Sequence, residues 1–373
     1  MKFSCEKAVL LPALTNVSRA VPARSGIAAL EGVLIEAGET IRLTGFNLEV
    51  GVRQEVEADI EAPGAVIVSA RLLGDIVRRL PDDVISFSLN DKLVMHISCG
   101  QAVYDIASCL EGDAYPQMPE VVGERAAVLP QKALREMIRG TLFAVSDNDA
   151  KVVHTGSRFI WEDGGLTLVS VDGYRLALRR QPVEGAPPPE DFVVPGQALR
   201  ELERLLSDEE DKTVSLILGG RHILFELGGA TLITRLLDGD FLNYKTAVPQ
   251  EQPITARLSA RALADSIERV SLLVSEKIKN PVRVKVDGNG LLLSCVTALG
   301  SAQDFCPAQV DGALPEHGLE IGFNHRYLLD ALRALPDEEC VLLLQNPLSP
   351  CVIAPTEGNG FVYMILPVRL RAE

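Results

Sequence analysis

Residues 70–80 read ARLLGDIVRRL, and this stretch decides the fold because the chain repeats its pattern twice more. Its leucine, isoleucine and valine residues are spaced three and four apart, which places them on one face of a helix. The same amphipathic pattern returns as QALRELERLL at residues 197–206 and as NHRYLLDALRAL at residues 324–335, so the copies lie about 125 residues apart. A repeat of this size folds as a domain, and repeated domains stack side by side into arcs or rings.

A second repeated element is a short acidic turn. Leu110-Glu111-Gly112-Asp113 returns as Leu237-Asp238-Gly239-Asp240, 127 residues later. Further helical periodicity at residues 5–18, 131–141 and 259–274 gives each repeat two helices. Pro12 lies inside the first of these segments, where it predicts an end or a kink.

Length and linkers suggest three domains. The chain has 373 residues, and a third of that length is an ordinary domain size. Residues 116–130 and 245–257 contain proline and lack periodicity, as linkers do. We therefore predict domains at residues 1–125, 126–253 and 254–373.

Most of the sequence between the helices is typical of β-strands. Long runs that contain many apolar residues occur, for example at 41–52 and 166–178. Asn90-Asp91, Gly219-Gly220 and Asp287-Gly288 are typical hairpin turns. Few helices and many antiparallel strands predict an α+β fold, with two helices packed on antiparallel sheets in each domain.

Composition excludes several classes of protein. A hydrophobic content of 47% is sufficient for packed cores. No apolar run is long enough to cross a membrane, and the first residues lack the apolar segment of a signal peptide, so we expect a cytoplasmic protein without a membrane partner. The seven cysteines and five histidines show no metal-ligand spacing. We expect free buried thiols, no metal and no cofactor.

The charge is unevenly distributed. The chain carries −15, whereas the six predicted helices together carry +5, which leaves −20 for the rest. If the helices share one face, that face is basic and could hold a polyanion without reading its sequence. The alternative is that these basic residues are ordinary helix-surface groups paired with acids such as Glu136, Glu201 or Glu268.

Catalytic motifs are absent from the sequence. It contains no P-loop, dinucleotide-binding glycine motif, nucleophile elbow or HExxH helix. The sequence therefore identifies no catalytic residue, and an enzyme stays among the alternatives at this point. Two alternatives stay open: a cytosolic transferase built of repeated βαβ units, and a scaffold that binds proteins but not DNA.

Two segments break the repeat, because the first domain has no equivalent of them. Residues 171–177 read VDGYRLA, and residues 364–370 read MILPVRL. The first resembles the T-D-G-[HY]-R-L-A strand of bacterial DNA polymerase III β subunits, the sliding clamps, and the second resembles their terminal M-P-M-R-L. Residues 238–244 (DGDFLNY) are similar to the clamps' D-G-x-F-P-D-Y turn, and Ser275-Glu276-Lys277 is similar to their N-E-K.

This resemblance implies a DNA-clamp fold of three similar domains, closed as a head-to-tail homodimeric ring around double-stranded DNA. Such clamps have no catalytic activity. They tether DNA polymerase III α, clamp-loader subunits and other clamp-motif proteins through a peptide that docks in a pocket. Apolar side chains and a proline suit the anchors of an extended peptide.

The resemblance also implies site residues. The peptide pocket would contain His154, Val171, Gly173, Tyr174, Arg175, Leu176, Leu242, Thr246, Ala247, Met364, Leu366, Pro367, Val368, Arg369 and Leu370. For DNA, the resemblance implies Arg24, and the basic helix faces described above add Arg78, Arg79, Lys132, Arg135, Arg139, Arg200 and Arg204 as DNA-facing residues. The dimer interface would join Tyr104 and Ile106 to Leu272 and Leu273 of the partner subunit. The chain departs from the family at Val171, Leu242 and Thr246, where Thr, Pro and Arg are common.

Overall fold

The computed structural model describes residues 1–107, 109–162, 164–183, 190–274 and 280–370. These residues form two compact units. The first contains Met1–Lys132 and Arg200–Leu236, and the second contains the remaining described residues. The second predicted domain, residues 126–253, therefore contributes to both units, and the predicted domain borders stay a prediction.

Seven helices lie within the described residues. They are α1 (Lys7–Ser18), α2 (Ala70–Arg79), α3 (Gln131–Arg139), α4 (Gly196–Leu205), α5 (Tyr244–Ala247), α6 (Ala260–Ser271) and α7 (His325–Arg333). Six of them coincide with the predicted segments, and α5 is a single additional turn. Short 3-10 turns lie at Ala28–Glu31, Gly112–Ala114, Leu142–Ala144 and Asp149–Thr155.

Side-chain caps explain where several helices begin. The Ser69 hydroxyl accepts a hydrogen bond from the Leu72 N–H at the start of α2, at 3.4 Å. Asn324 Oδ1 accepts one from the Arg326 N–H at the start of α7, at 3.0 Å. Such caps satisfy amides that have no partner inside the helix.

Twenty-seven strands connect these helices. The first fifteen are β1 (Lys2–Glu6), β2 (Gly32–Ala37), β3 (Ile41–Phe46), β4 (Val50–Val56), β5 (Asp59–Ala62), β6 (Gly64–Ser69), β7 (Val84–Leu89), β8 (Met95–Cys99), β9 (Ala102–Ile106), β10 (Leu110–Glu111), β11 (Glu124–Pro130), β12 (Gly156–Glu162), β13 (Gly165–Val171), β14 (Arg175–Pro182) and β15 (Phe192–Pro195). The others are β16 (Thr213–Gly219), β17 (His222–Glu226), β18 (Ala230–Arg235), β19 (Ile254–Ser259), β20 (Val282–Asp287), β21 (Gly290–Thr297), β22 (Gly300–Pro307), β23 (Gln309–Asp311), β24 (Leu319–Phe323), β25 (Glu339–Leu344), β26 (Cys351–Ala354) and β27 (Phe361–Ile365).

Each unit contains two sheets. The first unit has a five-stranded sheet in the order β5-β1-β7-β8-β9 and a nine-stranded sheet in the order β10-β6-β2-β3-β4-β18-β17-β16-β11. The second has a nine-stranded sheet in the order β15-β12-β13-β14-β27-β26-β25-β19-β23 and a four-stranded sheet in the order β22-β21-β20-β24. All pairs between the described strands are antiparallel, which confirms the α+β prediction. The transferase alternative needs parallel neighbours, and these sheets give it no support.

Each nine-stranded sheet joins strands of two successive repeats. In the first unit β4 pairs with β18, and Gly51 lies opposite Ile233. In the second unit β14 pairs with β27, and Leu176 lies opposite Met364. The two junctions are copies of one arrangement.

A polar side chain closes the hairpin that precedes the junction strand in each repeat. Asn47 Oδ1 accepts hydrogen bonds from the N–H groups of Glu49 (3.0 Å) and Val50 (2.7 Å). Asp172, 125 residues later, does the same for the next hairpin. The hydroxyl of Thr297, after another 125 residues, accepts from the Leu299 N–H at 3.1 Å. The repeat is therefore present in individual turn hydrogen bonds.

The two copies of the junction are covered differently. A Cβ on Gly51 would lie 2.4 Å from Met118 Cε, so the absence of a side chain at Gly51 lets Met118 pack directly on the sheet. Met118 and Tyr115 are both buried in a cluster with Phe46 and Ile233. In the second repeat, the position that corresponds to Gly51 is occupied by Leu176. Among the described residues, the matching apolar cluster contains one methionine, Met364, which lies opposite Leu176 in the same junction.

Several local predictions were wrong. The first helix does not end at Pro12 but continues to Ser18, because the buried face of Leu10, Leu14 and Val17 stabilises it despite one missing backbone hydrogen bond. Run 41–52 divides into β3 and β4, and run 166–178 divides into β13 and β14, at the polar turns described above. The predicted linkers contain the whole of β11 and part of β19, so they are not unstructured.

Candidate functional site

The turn between β13 and β14 presents an aromatic side chain at the surface. Asp172 Oδ1 accepts hydrogen bonds from the N–H groups of Tyr174 (2.9 Å) and Arg175 (3.0 Å). Gly173 has φ +92°, a conformation that side-chain-bearing residues rarely adopt. The turn leaves Tyr174 62% exposed.

Arg175 anchors this turn to helix α7. Its Nε donates to Asp172 Oδ2 at 2.9 Å, and one of its terminal nitrogens donates to Asp330 Oδ2 at 2.6 Å. The guanidinium also lies 4.5 Å from the centre of the Tyr327 ring and 5.4 Å from that of Phe143. Because only 11% of the side chain is exposed, Arg175 positions its neighbours more than it offers a surface to a ligand.

The C-terminal segment runs alongside the turn. The Leu366 N–H donates to the Tyr174 carbonyl, and the Val368 N–H donates to the Gly322 carbonyl, both at 2.8 Å. These bonds end the sheet pairing and leave Leu366 and Val368 about one-third exposed. Pro367, between them, has no N–H that would need a partner.

A cavity of about 700 Å³ opens between these segments in the second unit. Its lining comprises Tyr174, Val274, Asn280, Pro281, Asn324, His325, Arg326, Tyr327, Leu366, Pro367 and Val368. The sequence prediction included four of these residues and missed the others. The Asn324 cap of α7 was the available signal, because the first turn of that repeated helix forms one wall of the cavity.

The predicted pocket residues separate into surface and buried groups. Val171, Leu176 and Met364 are buried, and Leu176 and Met364 belong to an apolar cluster with Tyr244 that Ala247 also contacts. Leu176 is thus a strand-core residue beneath the site.

Other predicted residues lie beside this cluster. Leu242 and Thr246 are both exposed; Leu242 lies just before α5, and Thr246 lies within it. The Thr246 hydroxyl donates to the Asn243 carbonyl at 2.9 Å. His154 stacks edge-on against Phe241, with ring centres 5.5 Å apart. Burial, together with the nearby Lys151 charge, lowers the pKa of His154.

The remaining pocket candidates are at the chain end. Arg369 is exposed, whereas Leu370 packs on Gly322, since a Cβ on that glycine would lie 2.6 Å from Leu370 Cδ2. Ser275-Glu276-Lys277, the segment similar to the clamps' N-E-K, lies outside the described residues.

The predicted DNA-facing residues are mostly at the surface. Arg24, Arg78, Arg79, Arg139, Arg200 and Arg204 are exposed, and Lys132 and Arg135 are partly buried. Some already have acidic partners, including Arg78 with Asp75 (3.1 Å), Arg204 with Glu201 (3.0 Å) and Lys132 with Glu210. The alternative of ordinary ion pairs therefore holds for part of the set.

The predicted dimer residues lie near sheet edges. Tyr104 is 38% exposed on β9, the last strand of the five-stranded sheet, and Ile106 on the same strand is buried opposite Met95. Leu272, just after α6, is 83% exposed, and Leu273 is partly exposed. Strand β22 is the last strand of the four-stranded sheet, and its Phe305 is exposed as well.

Histidine, cysteine and acidic side chains do not form a metal-binding cluster in the described part of the chain. There, no group of three or more His, Cys, Asp or Glu side chains could hold a metal ion. All seven cysteines are buried free thiols, and burial raises the pKa of several of them, for example to about 12 at Cys5 and Cys351.

No helix among the described residues is both long enough and apolar enough to span a bilayer.

Known structures share this architecture. The DNA polymerase sliding clamp from Bacillus subtilis superimposes with a TM-score of 0.93 at 27% identity, over 100% of both chains. A DnaN sliding clamp from Pseudomonas aeruginosa, bound to griselimycin, gives a TM-score of 0.92 at 28% identity, over 99% of this chain and 100% of the other. Fold and cleft together define a protein of the DNA-clamp class.

Sequence comparisons identify the family. Models of the N-terminal, central and C-terminal domains of the DNA polymerase III beta subunit match residues 1–119, 128–243 and 245–369. The beta sliding clamp of Synechococcus elongatus is 33% identical over 382 residues, which cover 100% of both chains. The chain belongs to the DNA polymerase III beta subunit family, the β sliding clamps.

Proposed function

We propose that this chain is a processivity clamp that encircles double-stranded DNA as a homodimer and holds DNA polymerase III α, clamp-loader subunits and other partners by their peptides. The observation that carries this proposal is the open apolar cleft formed by Tyr174, Leu366, Pro367 and Val368 in a chain of the clamp family. We further propose that it acts in the cytoplasm, where bacterial chromosomal DNA is found, and has no catalytic step of its own.

The cleft suits an extended peptide with apolar anchors. Its volume of about 700 Å³ lies in the range of ligand pockets, and its walls combine aromatic rings with aliphatic side chains. Asn324 and the exposed ends of the backbone near Pro367 can orient a peptide by hydrogen bonds. Peptide binding there would cover the exposed Leu366 and Val368.

DNA would be held through its phosphates. The exposed Arg24 and Arg79 are the strongest candidates, because neither has an acidic partner among the described residues. Basic residues that already pair with acids, such as Arg204, contribute less to counter-ion release. Binding should therefore be independent of base sequence and sensitive to salt.

The repeat indicates how two chains would join. Strand β22 follows the Thr297 turn just as β4 follows Asn47 and β14 follows Asp172, but β22 has no further neighbour in its sheet. Strand β9 precedes the 110–113 turn just as β18 precedes its copy, and it also ends its sheet. We infer that β22 of one chain pairs with β9 of the next, which makes a heterologous contact that closes as a ring.

The same correspondence gives a register for this contact. Arg53 pairs with Thr231 at the first junction, and the matching residues are Gln303 and Tyr104 of the partner subunit. Opposed residues in antiparallel strands have Cα atoms about 4.5–5.5 Å apart, within disulfide range. Tyr104→Cys with Gln303→Cys should give a covalent dimer on a non-reducing gel.

A shifted pair is the control for the register. Tyr104→Cys with Ser301→Cys places the cysteines two residues out of step, beyond comfortable disulfide reach. Equal cross-linking of both pairs, or of neither, would contradict the proposed register. Leu272 and Leu273 would lie beside this seam.

Topological loading tests the clamp function itself. The protein is loaded on nicked circular DNA with a clamp loader, and the circle is then linearised. Retention on the circle and rapid loss after linearisation are expected. Stable binding to linear ends would contradict encirclement, and partner binding with no retention on circles would favour the protein-only scaffold.

A further inference from the structure

A second cavity lies in the second unit, on the side of the nine-stranded sheet that carries Arg175 and Arg179. Its volume is about 550 Å³. It is lined by Glu136, Arg139, Phe143, Arg179, Asp330, Arg333, Ala334, Leu335 and Pro336. Three arginines against two carboxylates make this cavity cationic, although the chain as a whole is acidic.

Arg179 is the unusual member of this lining. Only 8% of it is exposed, and its Nε has no hydrogen-bond partner. Its guanidinium lies 5.9 Å from the centre of the Phe361 ring and beside the Tyr363 hydroxyl, whose pKa burial raises to about 12. No carboxylate of the described residues forms an ion pair with it. A guanidinium is always charged, and buried charges are normally paired.

The neighbouring charges are already committed. Asp330 accepts from Arg175 at 2.6 Å, and Arg333 pairs with Glu268 at 2.6 Å. Arg139 and Arg333 lie in the last turns of α3 and α7, where a cation stabilises the helix end. Arg179 lies on a strand and has no such role.

The backbone leaves room for the Arg179 side chain. A Cβ on Gly140 would lie 2.7 Å from Arg179 Cγ and 2.8 Å from Cδ. Only a glycine at the end of α3 therefore permits the stem of Arg179 to pass along the helix and place its guanidinium at the cavity.

We propose that this cavity binds a phosphate group, with Arg179 as its buried ligand and Arg139 and Arg333 at its rim. A guanidinium presents paired N–H donors that match two phosphate oxygens, and the negative charge of the phosphate supplies the counter-charge that Arg179 lacks. The phosphate could be free inorganic phosphate or a backbone phosphate of DNA. The second source rests on the proposed clamp function, and the first does not.

The first measurement uses inorganic phosphate and the full chain. Phosphorus NMR should show saturable line broadening with the wild-type protein, and Arg179→Met should weaken this binding at least 10-fold. Methionine has a similar length without charge. Arg257→Met is the matched control, because it removes an exposed arginine of the same unit that already pairs with Glu339. No broadening with wild type, or equal broadening with all three proteins, would overturn the proposal.

A second variant protects this test against misfolding. If circular dichroism shows that Arg179→Met does not fold, Gly140→Ala is used, since its methyl group displaces the Arg179 stem. It should weaken phosphate binding by a similar factor. Unchanged binding would overturn the proposal.

The second measurement separates the two sources of phosphate. The affinity for a short DNA duplex is measured over a range of salt concentrations. If the source is DNA, Arg179→Met lowers the slope of log K against log salt by about 0.9, the value of one phosphate contact. If inorganic phosphate binding falls but the slope does not, the site holds free phosphate. A wild-type protein that binds phosphate but is not retained on nicked circular DNA after loading would refute the clamp function and leave this site intact.

Discussion

Replacing Arg175 by methionine tests the contact that holds the Tyr174 turn to helix α7 beside the peptide cleft. Breaking a fully buried ion pair by removing one partner costs about 3–5 kcal/mol. Here Asp172 is 14% exposed, but Asp330 is 38% exposed and keeps part of its hydration. Asp172 also keeps its two backbone donors, so we expect Arg175→Met to lower the free energy of unfolding by about 2–3 kcal/mol.

Thermal and urea unfolding measure this loss. For a unit of this size, about 1 kcal/mol corresponds to roughly 2–4 °C in Tm, so the transition should fall by roughly 5–10 °C. Arg257→Met is the control, because its partner Glu339 is 53% exposed and such surface pairs are worth less than about 1 kcal/mol. Equal losses for both variants would refute the view that Arg175 holds the turn to α7.

A double variant tests the pairing directly. In the Arg175→Met variant, the Asp330 carboxylate has lost the guanidinium that it pairs with. Adding Asp330→Asn removes that carboxylate. The combined loss should therefore be smaller than the sum of the two single losses. Strict additivity would show that Arg175 acts through its aromatic neighbours rather than through Asp330.

The remaining predictions concern the cleft and the dependence on pH. Leu366→Ala with Pro367→Ala should weaken partner-peptide binding at least 10-fold in fluorescence anisotropy, about 1.4 kcal/mol, while sedimentation still shows a dimer; unchanged affinity would exclude this cleft. Burial, followed by the Arg326 charge, lowers the pKa of His325 from 6.5, so the unfolded chain binds the proton more readily and stability should fall as the pH drops below 6.5. His325→Gln should flatten that part of the profile, and an unaltered profile would contradict it. Burial raises the pKa of Glu162, but hydrogen bonds from Lys245 and Tyr244 outweigh it, and the net pKa is lowered. Stability should therefore fall again below pH 4.5, and Glu162→Gln should make this second decline shallower in urea titrations at stepped pH; an unchanged slope would contradict this role of Glu162.

The helices were predictable from sequence because their apolar spacing is local. The stripe of Leu73, Ile76 and Val77 in α2 depends only on residues within three turns, and the same is true of its copies. The long strand runs were misread because the breaks at Asn47 and Asp172 depend on single side chains that accept backbone hydrogen bonds. A polar residue between apolar ones fits a strand pattern equally well.

The site was predicted less completely than the fold. Motif resemblance located Tyr174 and Leu366, which do lie at one cavity. It gave no sign that Asp330, 155 residues from Arg175, would bind it. Buried Leu176 and surface Tyr174 are also close in sequence, and only the pairing with β27 shows which of them a peptide can touch.

The packing of Met118 on Gly51 affects how many partner peptides one chain can bind. The first-repeat copy of the junction is covered by the chain's own Met118, whereas beside the second copy the cleft of Tyr174, Leu366, Pro367 and Val368 opens to the surface. We therefore expect a stoichiometry of one peptide per chain, which calorimetry can measure. Two sites per ring must then be shared by every enzyme that follows the replication fork, so partners would take turns by competition.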